Sequence, residues 1–178
     1  MMIRTLESRL EAFSHLAGDA IPAKMQKRMT ETGYFTAPAA AKHHGNYEGG
    51  LYDHSEAVAL ALADITKRLD LTWERPESPY IVGFLHDFCK VDDYIVDPET
   101  GGYRHKQNRT LPGHGEKSVI LVMREMYLTD EEIMCIRYHM GAYEGQEIWG
   151  NLGEAVKRYP NILWTHTADM LASQILGV

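Results

Sequence analysis

Nine histidines stand in this chain of 178 residues, and several fall inside apolar helical patterns where an uncharged side chain is expected. His86 and Asp87 are adjacent in IVGFLHDFCK, an almost wholly apolar stretch that reads as helix, where burying an unpaired histidine and carboxylate would cost on the order of several kcal/mol. They need partners, and the chain supplies candidates. His54 falls on the face of Val58, Ala61 and Ile65, and His139 sits one turn after Ile136. Asp169 lies one turn before Ala172 and Ser173, and His114 opens the segment GHGEKSVILV. His54 and His139 are thus polar groups on inward stripes, and a lone carboxylate at Asp169 would be hard to bury. Four histidines and two aspartates are too many donors for one tetrahedral zinc. They suit two divalent transition-metal ions of higher coordination number, Mn, Fe, Co, Ni or Zn. Neighbouring helical residues point about 100° apart, so His86 and Asp87 edge onto a pair of ions, with Asp87 the natural bridge. One such histidine alone is most simply a satisfied core or surface residue, and an HD dipeptide is common by chance. Six residues on five helical segments carry the signal together.

Hydrolysis of a phosphate ester is one chemistry that such a pair of ions can support. A metal-bound water is acidified toward neutrality, and the second ion steadies charge on the phosphoryl oxygens. The chain carries a formal charge of −7, so a general electrostatic grip on nucleic acid or on an acidic membrane is not indicated. Two divalent ions against two aspartates leave a local positive surplus that can hold a small anion. Lys90 follows Asp87 by one turn and Lys117 follows His114 likewise, which puts both ammonium groups within reach of an oxyanion. A solvated helix-end lysine accounts for Lys90 equally well and is the plainer account of Lys117. Cys89 reads as a small core residue, since no His–Asn or His–Asp partner for a nucleophile is apparent.

The elements that must position these residues are helical. Apolar residues recur at helical spacing over 3–16, 51–69, 80–91, 118–127, 130–140 and 161–176, which predicts an all-α bundle. Gly18, Pro76, Pro79 and Pro112-Gly113 mark boundaries, with a capping box at Thr129–Glu132 and Pro160 at a helix start. One segment breaks the period: Tyr94-Ile-Val and Tyr103-Arg-His flank Asp97–Gly102 and predict a small β-hairpin near the site. GNYEGG, at 45–50, lacks the Gly-Lys-Ser/Thr ending of a phosphate loop and reads as a turn before a helix.

In order and spacing these residues resemble the HD-domain superfamily of metal-dependent phosphohydrolases, whose pattern runs H…HD…H…H…D. APAAAKHHGNYEGGLYDHS, FLHDFCK, LPGHGEKS, YHMG and HTADMLAS carry the likeness. It is to small bacterial and prophage HD hydrolases and to the HD domain of a bacterial exoribonuclease, and it covers 37–173. The resemblance implies a helical HD fold with His54, His86, Asp87, His114, His139 and Asp169 as metal ligands. His114 and His139 are the residues that argue for a second ion, since mononuclear members keep only the others. It also points to Lys42 and His44, in the loop before the first ligand, as substrate contacts; Asp87 and Lys90 are the catalytic candidates. His43, His15, His105 and His166 are left outside the site.

Two rivals stand beside hydrolysis. A mixed-valent di-iron oxygenase of the same fold resembles this ligand set, lysine included, and a non-catalytic nucleotide-binding module could keep metals for folding. The hydrolase-like LPGHGEKS and HHGNYEGG blocks favour a phosphomonoesterase or phosphodiesterase acting on a nucleotide or related ester. A content of 44% hydrophobic and 24% charged residues is that of one globular domain over 1–178. Two cysteines without CxxC spacing fit a reducing compartment. The charged N-terminus and the absence of a long apolar run predict a cytoplasmic protein without a membrane span.

Overall fold

A computed structural model describes residues 4–43, 45–111 and 113–178. Its described residues form eight α-helices and one antiparallel hairpin: α1 Leu6–Ala17, α2 Ala23–Glu31, α3 Gly50–Leu69, α4 Ser78–Leu85, β1 Tyr94–Val96, β2 Tyr103–His105, α5 Gly115–Met123, α6 Asp130–Tyr138, α7 Trp149–Arg158 and α8 Asn161–Met170. The fold is mainly α. A 3-10 turn at Phe88–Asp92 and a π-helical turn at Leu171–Leu176 continue α4 and α8 past their ends.

The long helix α3 is the spine. Its inward face buries Leu51, Tyr52, His54, Ser55, Val58, Ala59 and Leu62, while Leu60 on the opposite side is exposed. Gly49, at φ 84°, opens the helix in the left-handed region that glycine enters without strain. The buried Arg9 of α1 grips Asp53 with two hydrogen bonds of 3.0 Å, so the residue just before His54 is fixed from outside the helix. Against α3 lies α4, and the approach is close: a Cβ on Gly83 would stand 2.3 Å from the Cα of Ala59.

An aromatic cluster of Phe13, Tyr34, Phe35, Tyr52, Phe84 and Phe88 fills the space under α1, α3 and α4 with edge and tilted ring contacts. The Tyr34 hydroxyl donates to the Phe84 carbonyl at 2.6 Å, satisfying a carbonyl that the end of α4 leaves open. Helix α6 begins at the capping box expected at Thr129–Glu132. The same Glu132 carboxylate accepts from Ser78 Oγ at 2.8 Å and Arg75 Nε at 2.7 Å, which ties α6 to the start of α4.

The hairpin falls where the sequence places it, with Tyr94 opposite His105 and Val96 opposite Tyr103. Two helices were not expected. In α2 only Met25 and Met29 turn inward among charged neighbours, and α7 buries none of its residues and contains two glycines. The inward stripe of α2 is two methionines, and that of α7, the half-buried Leu152, Ala155 and Val156, is short and interrupted by glycine. The expected helix over 80–91 is also corrected: α4 stops at Leu85. His86 keeps helical angles, and Asp87 turns out at φ −103°, ψ 18°, the bridge region that active-site residues often occupy.

Candidate metal centre

That break in α4 is what lets two adjacent side chains meet at one place. His86 caps α4, Asp87 starts the 3-10 turn, His54 comes from the second turn of α3, His139 caps α6, Asp169 sits near the end of α8, and His114 immediately precedes α5. The structure brings all six together. His54, His86, Asp87, His139 and Asp169 are buried, and His114 is half-buried.

The two oxygens of Asp87 divide the cluster. Oδ2 stands 3.6 Å from His54 Nε2 and 3.5 Å from His86 Nε2, while Oδ1 stands 2.9 Å from His114 Nε2 and 3.6 Å from His139 Nε2. Asp169 Oδ1 joins the first group at 3.3 Å from His54 Nε2. Within each group the ring nitrogens face one another, at 3.3 Å for His54 and His86 and 3.2 Å for His114 and His139.

These contacts fit metal ions. His86 Nδ1 donates to the Gly83 carbonyl at 2.8 Å, His139 Nδ1 to the Ile136 carbonyl at 2.7 Å and His54 Nδ1 to the main-chain oxygen of Val178 at 2.9 Å. A carbonyl can only accept, so Nδ1 carries the proton, and in the neutral ring Nε2 offers a lone pair inward. His54 and His86 thus aim lone pairs at each other, an arrangement a cation between them resolves. Two donors each about 2.1 Å from one ion stand roughly 3.0 to 3.4 Å apart between right-angle and tetrahedral geometry, close to the distances here. Asp87 Oδ1 is fully buried, with His114 Nε2 2.9 Å from it. Three overlapping sets, His54/His86/Asp87, His86/His139/Asp169 and Asp87/Cys89/His114, each bring their donor atoms within 4.8 Å. The buried group can hold metal.

The electrostatics agree. Burial would raise the carboxyl of Asp87, but Lys90, His86 and His114 overcome it and hold it well below the usual carboxylate range. Asp169 is lowered likewise: burial opposes, and His54, whose Nε2 stands 3.3 Å away, prevails together with the nearby His86 and His139. Burial lowers Lys90, yet Asp87, 2.6 Å from its ammonium, raises it overall, so Lys90 stays charged. Around His114, burial is outweighed by Asp87, and the imidazole is raised above its ordinary value.

No family model, curated protein or solved structure matches the chain. What stands is a helical protein with a His/Asp cluster that can bind metal, compatible with an HD-type fold.

A cavity of about 440 Å³ opens over the cluster, walled by Asp87, Lys90, His114 and Asp169 on the polar side and by Tyr94 and Tyr143 among its larger residues. Lys90 belongs to it, as the sequence suggests. Lys117 does not: its fully buried ammonium is held by Asp93 at 2.7 Å and Asp92 at 3.1 Å, beneath the 3-10 turn. Lys42 is exposed and outside the wall, and His44 lies outside the described residues.

Three residues passed over in the sequence matter here. His43 lines the cavity, and its neighbours Lys42 and His44 were the only hint of that loop's place. From α8, His166 Nδ1 donates to the His139 carbonyl at 2.7 Å and so pins a candidate ligand's main chain. Cys89 Sγ meets His114 Nδ1 at 3.2 Å. Spacing along the chain gave no signal for either contact. Helix α5 is joined to the 3-10 turn a second time by the Cys89 N–H, which donates to Ser118 Oγ at 3.0 Å.

Proposed function

We propose that the chain is a metal-dependent phosphohydrolase of the HD type, acting on a small phosphate ester, a nucleotide foremost. The observation that carries this reading is the split of Asp87 between two facing histidine pairs, with the Lys90 ammonium beside it in the cavity wall. His54, His86 and Asp169 with Asp87 Oδ2 would hold one divalent ion, and His114 and His139 with Asp87 Oδ1 the other. Bound there, such ions supply Lewis acidity and water acidified toward neutrality.

The protein groups do the rest. Four neutral imidazoles, two carboxylates and one ammonium leave a loaded site with net positive charge, suited to a phosphoryl group. Lys90 can donate to a phosphoryl oxygen while keeping its contact with Asp87. The cavity wall offers Tyr94 and Tyr143 to the remainder of the ester, and about 440 Å³ is the size of a small-molecule site. The net reaction adds water across a P–O ester bond: the water oxygen bonds to phosphorus, and the departing alcohol oxygen takes up the proton.

The test is a panel of phosphomonoesters and phosphodiesters incubated anaerobically with protein loaded with Mn²⁺ or Co²⁺. Hydrolysis of at least one class without oxygen is expected. Oxygen uptake with no hydrolysis would favour a di-iron oxygenase instead, and a metal-loaded protein inert in both assays would leave a binding module.

A further inference from the structure

Each of the four clustered histidines presents Nε2 inward, and they differ in what holds the other ring nitrogen. For His54, His86 and His139 the partner is a main-chain oxygen at 2.7 to 2.9 Å. Such an oxygen accepts and never donates, so the proton is fixed on Nδ1 and the inward nitrogen is committed to a lone pair. For His114 the partner is Cys89 Sγ at 3.2 Å. A thiol is a weak acceptor and can donate instead. With the S–H turned toward Nδ1, His114 carries its proton on Nε2, 2.9 Å from Asp87 Oδ1, in the place a cation would take.

The remaining contacts run the same way. The His114 side chain is 30% exposed, whereas the other three histidine side chains are at 0 to 1%. His114 also precedes α5 at φ −130°, outside any helix, whereas His54 lies within α3 and His86 and His139 cap helices with helical angles.

We infer that Cys89 is a positioning residue for His114, and that its sulfur, a weaker acceptor than the main-chain oxygens that hold the other three histidines, leaves the metal position on the Oδ1 side of Asp87 the weaker and more readily exchanged of the two. This rests on the two-ion reading above. Filling the Oδ1 position requires His114 to place its proton on Nδ1 and to donate to sulfur; filling the Oδ2 position requires no such change. The thiol itself is fully buried, and its residue is pinned by the main-chain N–H that donates to Ser118 Oγ.

The experiment is calorimetric titration of the full chain, stripped by chelator and dialysed, with Co²⁺, for the parent, Cys89→Ala and Cys89→Ser. The parent should bind two ions in separable steps. Cys89→Ala should weaken the second step by roughly 10- to 100-fold, the usual scale of losing a residue that orients a ligand, and leave the first unchanged. Cys89→Ser, whose hydroxyl is the better acceptor, should recover part or all of the second step. Equal weakening of both steps, a second step strengthened by Cys89→Ala, or no change in either variant, would overturn the positioning role. So would a near-ultraviolet sulfur-to-cobalt band in the parent that is lost in Cys89→Ser, since Cys89 would then be a ligand. A parent that binds one ion or none fails earlier, at the two-ion reading, and is told apart from these outcomes by its stoichiometry alone.

Discussion

Asp87 offers one oxygen to each facing histidine pair, and none of the other five clustered residues reaches both pairs through separate atoms. Asp87→Ala should therefore empty both positions: metal content by elemental analysis should fall from about two ions per chain to near zero, with hydrolysis lost as well. Full occupancy in that variant would end the bridging assignment. Lys90 sets a different expectation, because a protonated ammonium cannot ligate. Lys90→Ala should keep its metal and lose roughly 10²-fold in kcat/KM, the scale of removing one oxyanion donor; activity within about twofold of the parent would make Lys90 a mere partner of Asp87. Five of the six clustered residues were legible in the sequence for one physical reason, that a titratable group on an apolar stripe must be paired, and His114, just before α5, only through the family resemblance. Direction was not legible. Lys90 and Lys117 occupy the same offset from a clustered residue, yet one opens into the cavity and the other is sealed under the 3-10 turn, because Asp92 and Asp93 lie on Lys117's side.

At the scale of elements, the cluster depends on how α5 docks against the 3-10 turn after α4. Lys117 is the bolt, with no exposed side-chain surface and two carboxylates within 3.1 Å. Asp92 is held below the ordinary carboxylate range: burial opposes this, and Lys106, the Thr110 N–H and Lys117 bring it about. Lys117→Met should cost about 3 kcal/mol at neutral pH, since it strands buried charge. The sign of its pH dependence follows from the lowered Asp92. A depressed carboxylate adds stability above its unfolded value near 3.9 and loses it as pH falls through the folded one, so the deficit of the variant should shrink in acid. Urea denaturation of both proteins at several pH values measures this, and a pH-independent deficit would exclude the charge mechanism. The packing of α3 on α4 has its own test: Gly83→Ala sets a methyl 2.3 Å from a main-chain atom of α3, and overpacking of that kind costs typically 1–3 kcal/mol or more. Helices with a wide apolar stripe, and the hairpin with its Gly-Gly turn, could be read from the sequence. The short stripes of α2 (Met25 and Met29) and α7 (Leu152, Ala155 and Val156) were passed over, because each is only two or three apolar residues among charged residues or glycines. The end of α4 at Leu85 could not be read either, since no proline or glycine marks it.

Across the whole molecule, the clustered donors come from α3, the ends of α4 and α6, the residue before α5, and α8, so bound ions would tie five elements together through the interior. Without them the fold buries the His54 and His86 ring nitrogens 3.3 Å apart beside the Asp87 carboxylate. Ions that bind only the folded chain stabilise it by mass action, about 4 kcal/mol at a thousandfold excess over Kd. For a chain of this size that corresponds to a Tm shift of roughly 8–16 °C, at about 2–4 °C per kcal/mol. Chelation near neutral pH should lower Tm by that order, and Mn²⁺ or Co²⁺ should restore it. The pH dependence has a definite sign. Imidazole must be neutral to ligate, and an ordinary imidazole titrates near 6.5, so protons compete with metal as pH falls. His114, raised by Asp87, meets that competition at higher pH than an ordinary imidazole would. The gap in Tm between loaded and chelated protein should therefore be widest above about pH 7.5 and close progressively below about pH 6.5. In the chelated protein, by contrast, Asp87 and Asp169 are depressed carboxylates, whose stability is present above the unfolded value near 3.9 and lost only in stronger acid. Thermal melts followed by circular dichroism across that range separate the two. A Tm unmoved by chelator near neutral pH, or a gap that widens in acid, would show that the fold does not depend on metal at this cluster.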